Sequence, residues 1–276
     1  MKSLAAALSL VRRNLFKDPG YLFRYALRYL DQDYRMSVKF MSTKELVSSL
    51  EQGKSLIRIN DGEICLITYG SIHYQKFHPR LREYLLKIVL DYDHQTSPYL
   101  IGLAEEYLGK PNREIKAKQM LRIWLPVKMA FERFFPKNPL YFDAHLFYRS
   151  GAFEQVLERI LQSHRVILVT SEENIGMVKK TGLEQRLEVS FVSCPASNSF
   201  DQFDEILEQV TSLIEPGREK NYRVLLAAGP ASKALAYELS KRKIISYDLG
   251  RGVEAVHRPN QIEHEIYQRS DVGQPS

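Results

Sequence analysis

Cysteine is nearly absent: Cys65 and Cys194 are the only two among 276 residues. Two such thiols make no disulfide framework, which sets aside the small bridged secreted domains and fits a reducing compartment. Long hydrophobic runs are missing as well, and none reaches the ~18 residues that a membrane span needs. Glycine (14) and proline (12) are not elevated, so no long disordered tract is expected. The chain has no glycine-rich dinucleotide fingerprint and no Walker loop, which argues against NAD and against P-loop chemistry. It also lacks zinc-ligand spacing and RNP-like aromatic motifs, so nucleic acid is not expected as a partner.

What is present is ordinary globular material, 44% hydrophobic and 26% charged, enough for a sizeable core and one or two domains. The net charge of +6 suits an anionic partner. The basic residues are scattered except before residue 40. There Arg12, Arg13, Lys17, Arg24, Arg28 and Arg35 stand among Leu, Tyr and Phe in a helical, amphipathic extension. Its opening, MKSLAAALSLVRRNLF, has the short apolar core of a leader but only one preceding lysine and no convincing cleavage site, so it reads as a helix. Residues 1–40 either lie on an anionic membrane surface or pack on the body with their arginines in water; packing is the expectation.

Ser42-Thr43-Lys44-Glu45 is a capping box that opens a helix to about Leu50, with Gly53 as its stop. The alternating segment Leu56, Ile57, Ile59, interrupted by Arg58, reads as a β-strand. It breaks into Asn60-Asp61-Gly62-Glu63, which reads as a turn. Two carboxylates thus stand where a strand ends, and α/β proteins place their chemistry at strand ends. Acids two apart around a glycine can reach one hard cation, Mg²⁺ or Mn²⁺, which takes one or two carboxylates plus substrate phosphates. A solvated turn is the plain alternative.

His78-Pro79-Arg80-Leu81 starts a helix whose apolar face is Leu81, Leu85, Ile88 and Val89. Tyr99 to Leu103 reads as a strand, and residues 113–135 as a helix kinked or divided at Pro126. From Phe153 onward helices and strands alternate. Strands at 165–170, 189–192, 222–228 and 244–247 are separated by helices at 173–180, 203–214 and 231–241. That alternation predicts an α/β, Rossmann-like fold: a mostly parallel sheet with helices on both faces, plus the helical N-terminal extension. The expected division is 1–40 extension, 41–260 α/β domain and 261–276 polar tail. Three loops follow C-terminal strand ends: Ser193 to Phe200, Ala228-Gly229-Pro230-Ala231-Ser232, and Asp248-Leu249-Gly250-Arg251-Gly252. The second runs straight into a helix, whose N–H groups and dipole can hold a phosphate. Asn198 can both donate to and accept from a base or ribose.

Together these segments resemble the GT-D-fold glycosyltransferases. That family places an arginine before an Asp-x-Glu motif, here Arg58 before Asp61-Gly62-Glu63, and follows it with a proline-arginine-leucine helix start, similar to Pro79-Arg80-Leu81. Its C-P-x-x-N-x-F loop is matched by Cys194, Pro195, Asn198 and Phe200. Its G-P-x-A-x-x-L-A-x-x-L segment is similar to Gly229, Pro230, Leu235, Ala236 and Leu239 with the first alanine shifted by one position, and its D-[IL]-G to Asp248-Leu249-Gly250. The resemblance covers roughly residues 45–255. Family members often carry histidine after the last glycine, where this chain has Arg251; Glu254 fills the late acidic position across a one-residue gap.

The resemblance implies a glycosyltransferase that uses Mn²⁺ or Mg²⁺ and a nucleotide-sugar donor, generally a UDP-sugar, with a glycan or glycoconjugate hydroxyl as acceptor. Asp61 and Glu63 would hold the metal. Arg58, Asn198, Gly229, Pro230, Asp248 and Gly250 would bind substrate, and Arg58, Glu254 and His257 would serve catalysis. Arg58 has two readings: it pairs with Asp61 or a nearby carboxylate and fixes the loop, or it forks onto the donor diphosphate. His73 and His145 are further candidate bases, His257 being the one beside the D-L-G loop in sequence. Asp91-Tyr92-Asp93-His94 reads as a polar helix end, and Asp31-Gln32-Asp33 as a connector between helices. The competing functions are a catalytically silent nucleotide-binding or scaffold protein of the same fold and a membrane-surface adaptor. The expected location is the cytoplasm, or the inner membrane face if the extension touches lipid.

Overall fold

The computed structural model describes residues 20–148, 154–180 and 183–252. Its frame is an eight-stranded sheet in the order β1-β4-β3-β2-β8-β7-β5-β6, with every recorded strand pairing parallel. The strands are β1 (Lys39–Phe40), β2 (Ser55–Arg58), β3 (Tyr99–Leu103), β4 (Leu140–Asp143), β5 (Arg165–Thr170), β6 (Val189–Ser193), β7 (Tyr222–Leu226) and β8 (Ser246–Asp248). The main helices are α1 (Tyr21–Leu30), α2 (Thr43–Glu51), α3 (Asp61–Ile67), α4 (Pro79–Leu90), α5 (Asn112–Ala117), α6 (Leu121–Phe134), α7 (Glu172–Lys179), α8 (Phe203–Ser212) and α9 (Ala231–Lys241). Among the described residues no helix is long and apolar enough to cross a membrane.

Each central strand feeds both faces. Leu56, Leu100, Leu168, Leu225 and Tyr247 pack toward α2 and α7, with Leu46, Leu50 and Val178. Ile57, Ile101, Val169, Val224 and Leu226 pack the other way against α4, α6, α8 and α9, with Leu85, Leu125, Val210 and Leu235. This is why all four residues of β2 are buried. In a parallel sheet covered on both sides, both faces of a strand need partners.

Local signals explain the helices. Ser42 and Glu45 form the reciprocal cap of α2: the Glu45 N–H donates to Ser42 Oγ at 3.3 Å and the Ser42 N–H to Glu45 Oε2 at 2.7 Å. Pro79 occupies the first turn of α4. Asn60-Asp61-Gly62-Glu63 is not a turn but the start of α3, with Asn60 as N-cap and Glu63 bonded back to it. The helical region with Trp124 divides at Lys118–Met120, where Gln119 has φ +57°, while Pro126 stays inside α6. The extension contributes α1 and, at the sheet edge, β1, which pairs with β4. Asp91 ends α4 as expected of a polar helix end.

Candidate active site

β2 and β8 lie side by side at the centre of the sheet, with β3 beyond one and β7 beyond the other. The carboxyl ends of such central strands are where open α/β sheets bind ligands. Arg58 closes β2, and its backbone N–H donates to Asp248 Oδ2 on β8 at 3.0 Å. Its guanidinium is buried. Nη1 donates to the Leu249 carbonyl at 2.8 Å and Nη2 to the Tyr148 hydroxyl at 2.6 Å. Of the two readings of Arg58, the loop-fixing one has a counterpart here with Asp248 and Glu63, rather than Asp61, as the nearby carboxylates: the side chain grips the loop after β8. Burial disfavours its charge, but Tyr148, Asp248 and Glu63 more than offset that, and it stays a cation. Gly250, at φ +51°, lies flat on this guanidinium; a Cβ there would stand 2.3 Å from Arg58 Nη2.

The second cation comes from α9. Lys233 is 3% exposed, and its Nζ lies 3.1 Å from Asp248 Oδ2, 3.3 Å from Glu63 Oε1 and 3.2 Å from the Gly229 carbonyl. Burial pulls its pKa down, Asp248 and Glu63 push it up, and the balance is upward, so the ammonium keeps its charge at neutral pH. Glu63 Oε2 accepts the Asn60 N–H at 2.9 Å. Asp248 Oδ1 and Asn60 Oδ1 are buried without a hydrogen-bond partner.

Asp61 stands at the outer edge of this cluster and reaches solvent. Surrounding protein mass raises its carboxyl above the usual range, and the charge of Glu63 raises it further. Tyr74 closes one side. A Cβ on Gly62 would lie 3.4 Å from its hydroxyl, and one on Gly229 3.5 Å from its ring. Burial and the charges of Glu63 and Asp61 drive its hydroxyl well above the ordinary phenol range. The loop carrying Tyr74 is held by Asn198: the Asn198 N–H donates to the Tyr74 carbonyl and the Lys76 N–H donates to Asn198 Oδ1, both at 2.8 Å.

The structure therefore brings Arg58, Asp61, Glu63, Gly229, Pro230, Asp248 and Gly250 to one end of the sheet, with Asn198 one loop away. Glu254 and His257 lie outside the described residues. His73 meets the Tyr74 ring edge-on at 4.6 Å and His145 stacks on Tyr148 at 5.3 Å, so both stand beside the site. Lys233, Tyr74, Tyr148 and Asn60 are site residues that the sequence reading did not single out.

A family profile for the "Glycosyltransferase GT-D fold" matches residues 56–257. The chain belongs to the GT-D-fold glycosyltransferases. The "Probable glycosyl transferase Gly" of Streptococcus gordonii is 23% identical over 216 residues, which cover 73% of this chain and 30% of that protein. The chain thus spans less than a third of that relative's length. A solved structure described as "A New Glycosyltransferase (DUF1792) from Streptococcus sanguinis" superposes with a TM-score of 0.65 at 20% identity, over 84% of this chain and 85% of the other. A second, "The highly conserved domain of unknown function 1792 has a distinct glycosyltransferase fold", gives the same score and identity over 84% and 82%. The GT-D match takes in β2 through the loop after β8, and so the whole strand-end cluster.

Proposed function

We propose that this GT-D protein transfers a sugar from a nucleotide-sugar donor, a UDP-sugar, to a hydroxyl of a glycan or glycoconjugate, assisted by Mg²⁺ or Mn²⁺. The observation that carries the reading is the charge balance at the ends of β2 and β8. Three carboxylates, Asp61, Glu63 and Asp248, face two cations, Arg58 and Lys233. A diphosphate arriving at Asp61 meets no spare positive charge in the cluster, so it needs to bring a counter-ion.

The donor set suits a hard divalent cation. Asp61 is an exposed residue at the edge of the cluster, Glu63 Oε1 lies 3.3 Å from Lys233 Nζ, and Asn60 Oδ1 is a buried oxygen without a partner. Among the described residues no three His, Cys, Asp or Glu side chains form a closed metal cage. An ion held here would rest on one or two carboxylates and complete its shell with donor phosphates. Asp61 and Glu63 would hold it, and it would stabilise the charge that develops on the leaving nucleoside diphosphate.

The chain's own groups supply the rest. The Gly229-Pro230 turn leads into α9, whose first N–H groups favour a phosphate. Gly229 has φ +56° and lies beside the Tyr74 ring, with no side chain of its own to hold a donor off its backbone. Asn198 orients the Tyr74 loop through its Oδ1, and its side-chain NH₂ would contact the nucleoside. Arg58 holds the loop after β8 in register, and that loop leads to Glu254 and His257, the candidate proton acceptors for the acceptor hydroxyl.

Calorimetry with UDP tests this. Wild type binds UDP only with Mn²⁺ or Mg²⁺ present. Asp61→Asn keeps the melting temperature and loses the metal-dependent binding. Unchanged Mn²⁺–UDP affinity in that variant overturns the metal assignment, and absence of any UDP binding by the wild type overturns the donor class.

A further inference from the structure

Helix α1 is packed inside out. At 3.6 residues per turn, Tyr21, Tyr25, Arg28 and Tyr29 share one side, and that side faces the protein. Tyr21 is buried, and the three tyrosines form a ladder with centroid spacings of 6.3 and 6.2 Å. The opposite side carries Leu22, Phe23, Ala26, Leu27 and Leu30, and all five are exposed. Phe23 is 69% and Leu30 73% accessible. Of the seven large hydrophobic side chains exposed among the described residues, four belong to this one helix. Scattered apolar residues on a surface need no explanation, but a contiguous apolar patch marks an interaction surface.

The surroundings indicate what covers it. Arg24 lies at the border of the apolar arc, and Arg28 lies over the Tyr34 ring at 4.3 Å while pairing with Glu132 at 3.2 Å. Lys116 reaches the Tyr29 ring at 5.9 Å, and the charge of Arg122 acts on Tyr25. Arg133 and Arg24 flank a groove of about 630 Å³ between α1 and α6, floored by Leu27, Met129 and Phe134. The acids there are Glu132 and Asp31. An apolar stripe with a cationic border is the pattern of a helix lying in a membrane interface, its arginines at the headgroup level. A second copy of the chain would set one cationic border against another.

We propose that the Leu22–Phe23–Leu27–Leu30 face of α1 docks on an anionic bilayer surface. The occupant is the headgroup and upper acyl region of acidic phospholipid, and α1 lies flat in it.

Flotation of the full-length chain with vesicles tests this. The protein is expected to float with phosphatidylcholine vesicles that contain phosphatidylglycerol and not with phosphatidylcholine alone, and to release as salt rises. Phe23→Ser/Leu27→Ser/Leu30→Ser removes the bound fraction by at least about tenfold, since each buried methylene contributes to binding. Leu30→Glu, a single change at the exposed end of the helix, serves if the triple variant does not fold. Arg24→Glu weakens binding at least about fivefold. The proposal is overturned if wild type ignores the acidic vesicles, or if the folded triple variant or Leu30→Glu floats like wild type. A concentration-dependent dimer abolished by the triple change, without flotation, assigns the face to self-association instead. Flotation that appears only after deletion of residues 1–19 assigns it to the chain's own N-terminal segment. Either result overturns the membrane reading.

Discussion

Among the described residues two lysines, Lys233 and Lys128, are closed off from solvent, and they are held in opposite ways. Lys233 lies between Asp248 and Glu63 at the strand ends, and its pKa is raised despite burial. Lys128, on α6, is 0% exposed and meets only neutral acceptors: the carbonyls of Lys110 at 2.6 Å and Tyr34 at 3.1 Å, and Asn112 Oδ1 at 3.2 Å. Burial without an opposite charge pulls its pKa down to about 8. The first lysine belongs to the site and is a fixed charge. The second is a latch that ties the connection after α1 to α5 and α6. Burial alone therefore does not say what a lysine does; its partners decide.

The sharpest way to break this comparison is to remove each ammonium while keeping the side chain's length. Lys233→Met leaves Glu63 and Asp248 buried with one cation fewer, and should cost about 3–5 kcal/mol of unfolding free energy. Lys128→Met leaves neutral acceptors unpaired and should cost about 1–3 kcal/mol. Urea unfolding measures both, and equal losses would erase the distinction.

Arg58 extends the comparison within the site. Lysine at this position cannot reach the Leu249 carbonyl and the Tyr148 hydroxyl from two fixed directions at once. Arg58→Lys should lower stability by about 1.5–3 kcal/mol, the range for bonds to a charged donor, and weaken nucleotide binding along with it. A variant that melts like wild type but turns over far more slowly would place the guanidinium on the donor.

The smallest effect is a slope with pH. The folded-state pKa of Lys128 is about 8 against 10.5 for the free group. Between those values the unfolded chain holds the proton that the folded chain has released, so this group's contribution to stability rises with pH across that window. Lys128→Met should lack the rise. Lys233 works with the opposite sign: its folded pKa is raised, so its contribution is complete below 10.5 and fades as pH climbs through the higher folded value. Urea midpoints of wild type and Lys128→Met that stay parallel between about pH 8 and 10 would remove the case for a depressed Lys128.

Much of this arrangement could be read from the chain because its signals are local. The apolar run Arg165–Thr170 is a strand in sequence and in structure, and the helix 231–241 coincides with α9. Asp61, Glu63, Gly229 and Asp248 were legible because strand ends and turn residues mark them. The Asn-Asp-Gly string misled, since its turn chemistry hid an Asn60-x-x-Glu63 cap that starts α3. Lys233 left a faint trace, a lone lysine in the small-residue run Ala231-Ser232-Lys233-Ala234, which a solvent-facing helix position would explain equally well. Tyr74 and Tyr148 left none: they are two tyrosines among 16, and their partners are set by the sheet order rather than by spacing. Arg58 takes Leu249 from 191 positions away, a pairing that no window of local sequence contains.

That separation also sets a timetable. A ribosome makes β2 early and β8 almost 200 residues later, yet the two are neighbours at the middle of the sheet, joined from Ser246 to Ser55 across 191 positions. Until β8 inserts, the nascent sheet has an open gap at its centre, and Arg58, Glu63 and Lys233 have no Asp248 to organise them. Folding of this kind, governed by contacts distant in sequence, is slow and leaves strand edges uncovered while it waits. A nucleotide-binding signal on stalled chains of increasing length should therefore appear in one step, when residue 248 has cleared the exit tunnel, and not grow gradually as the earlier strands form.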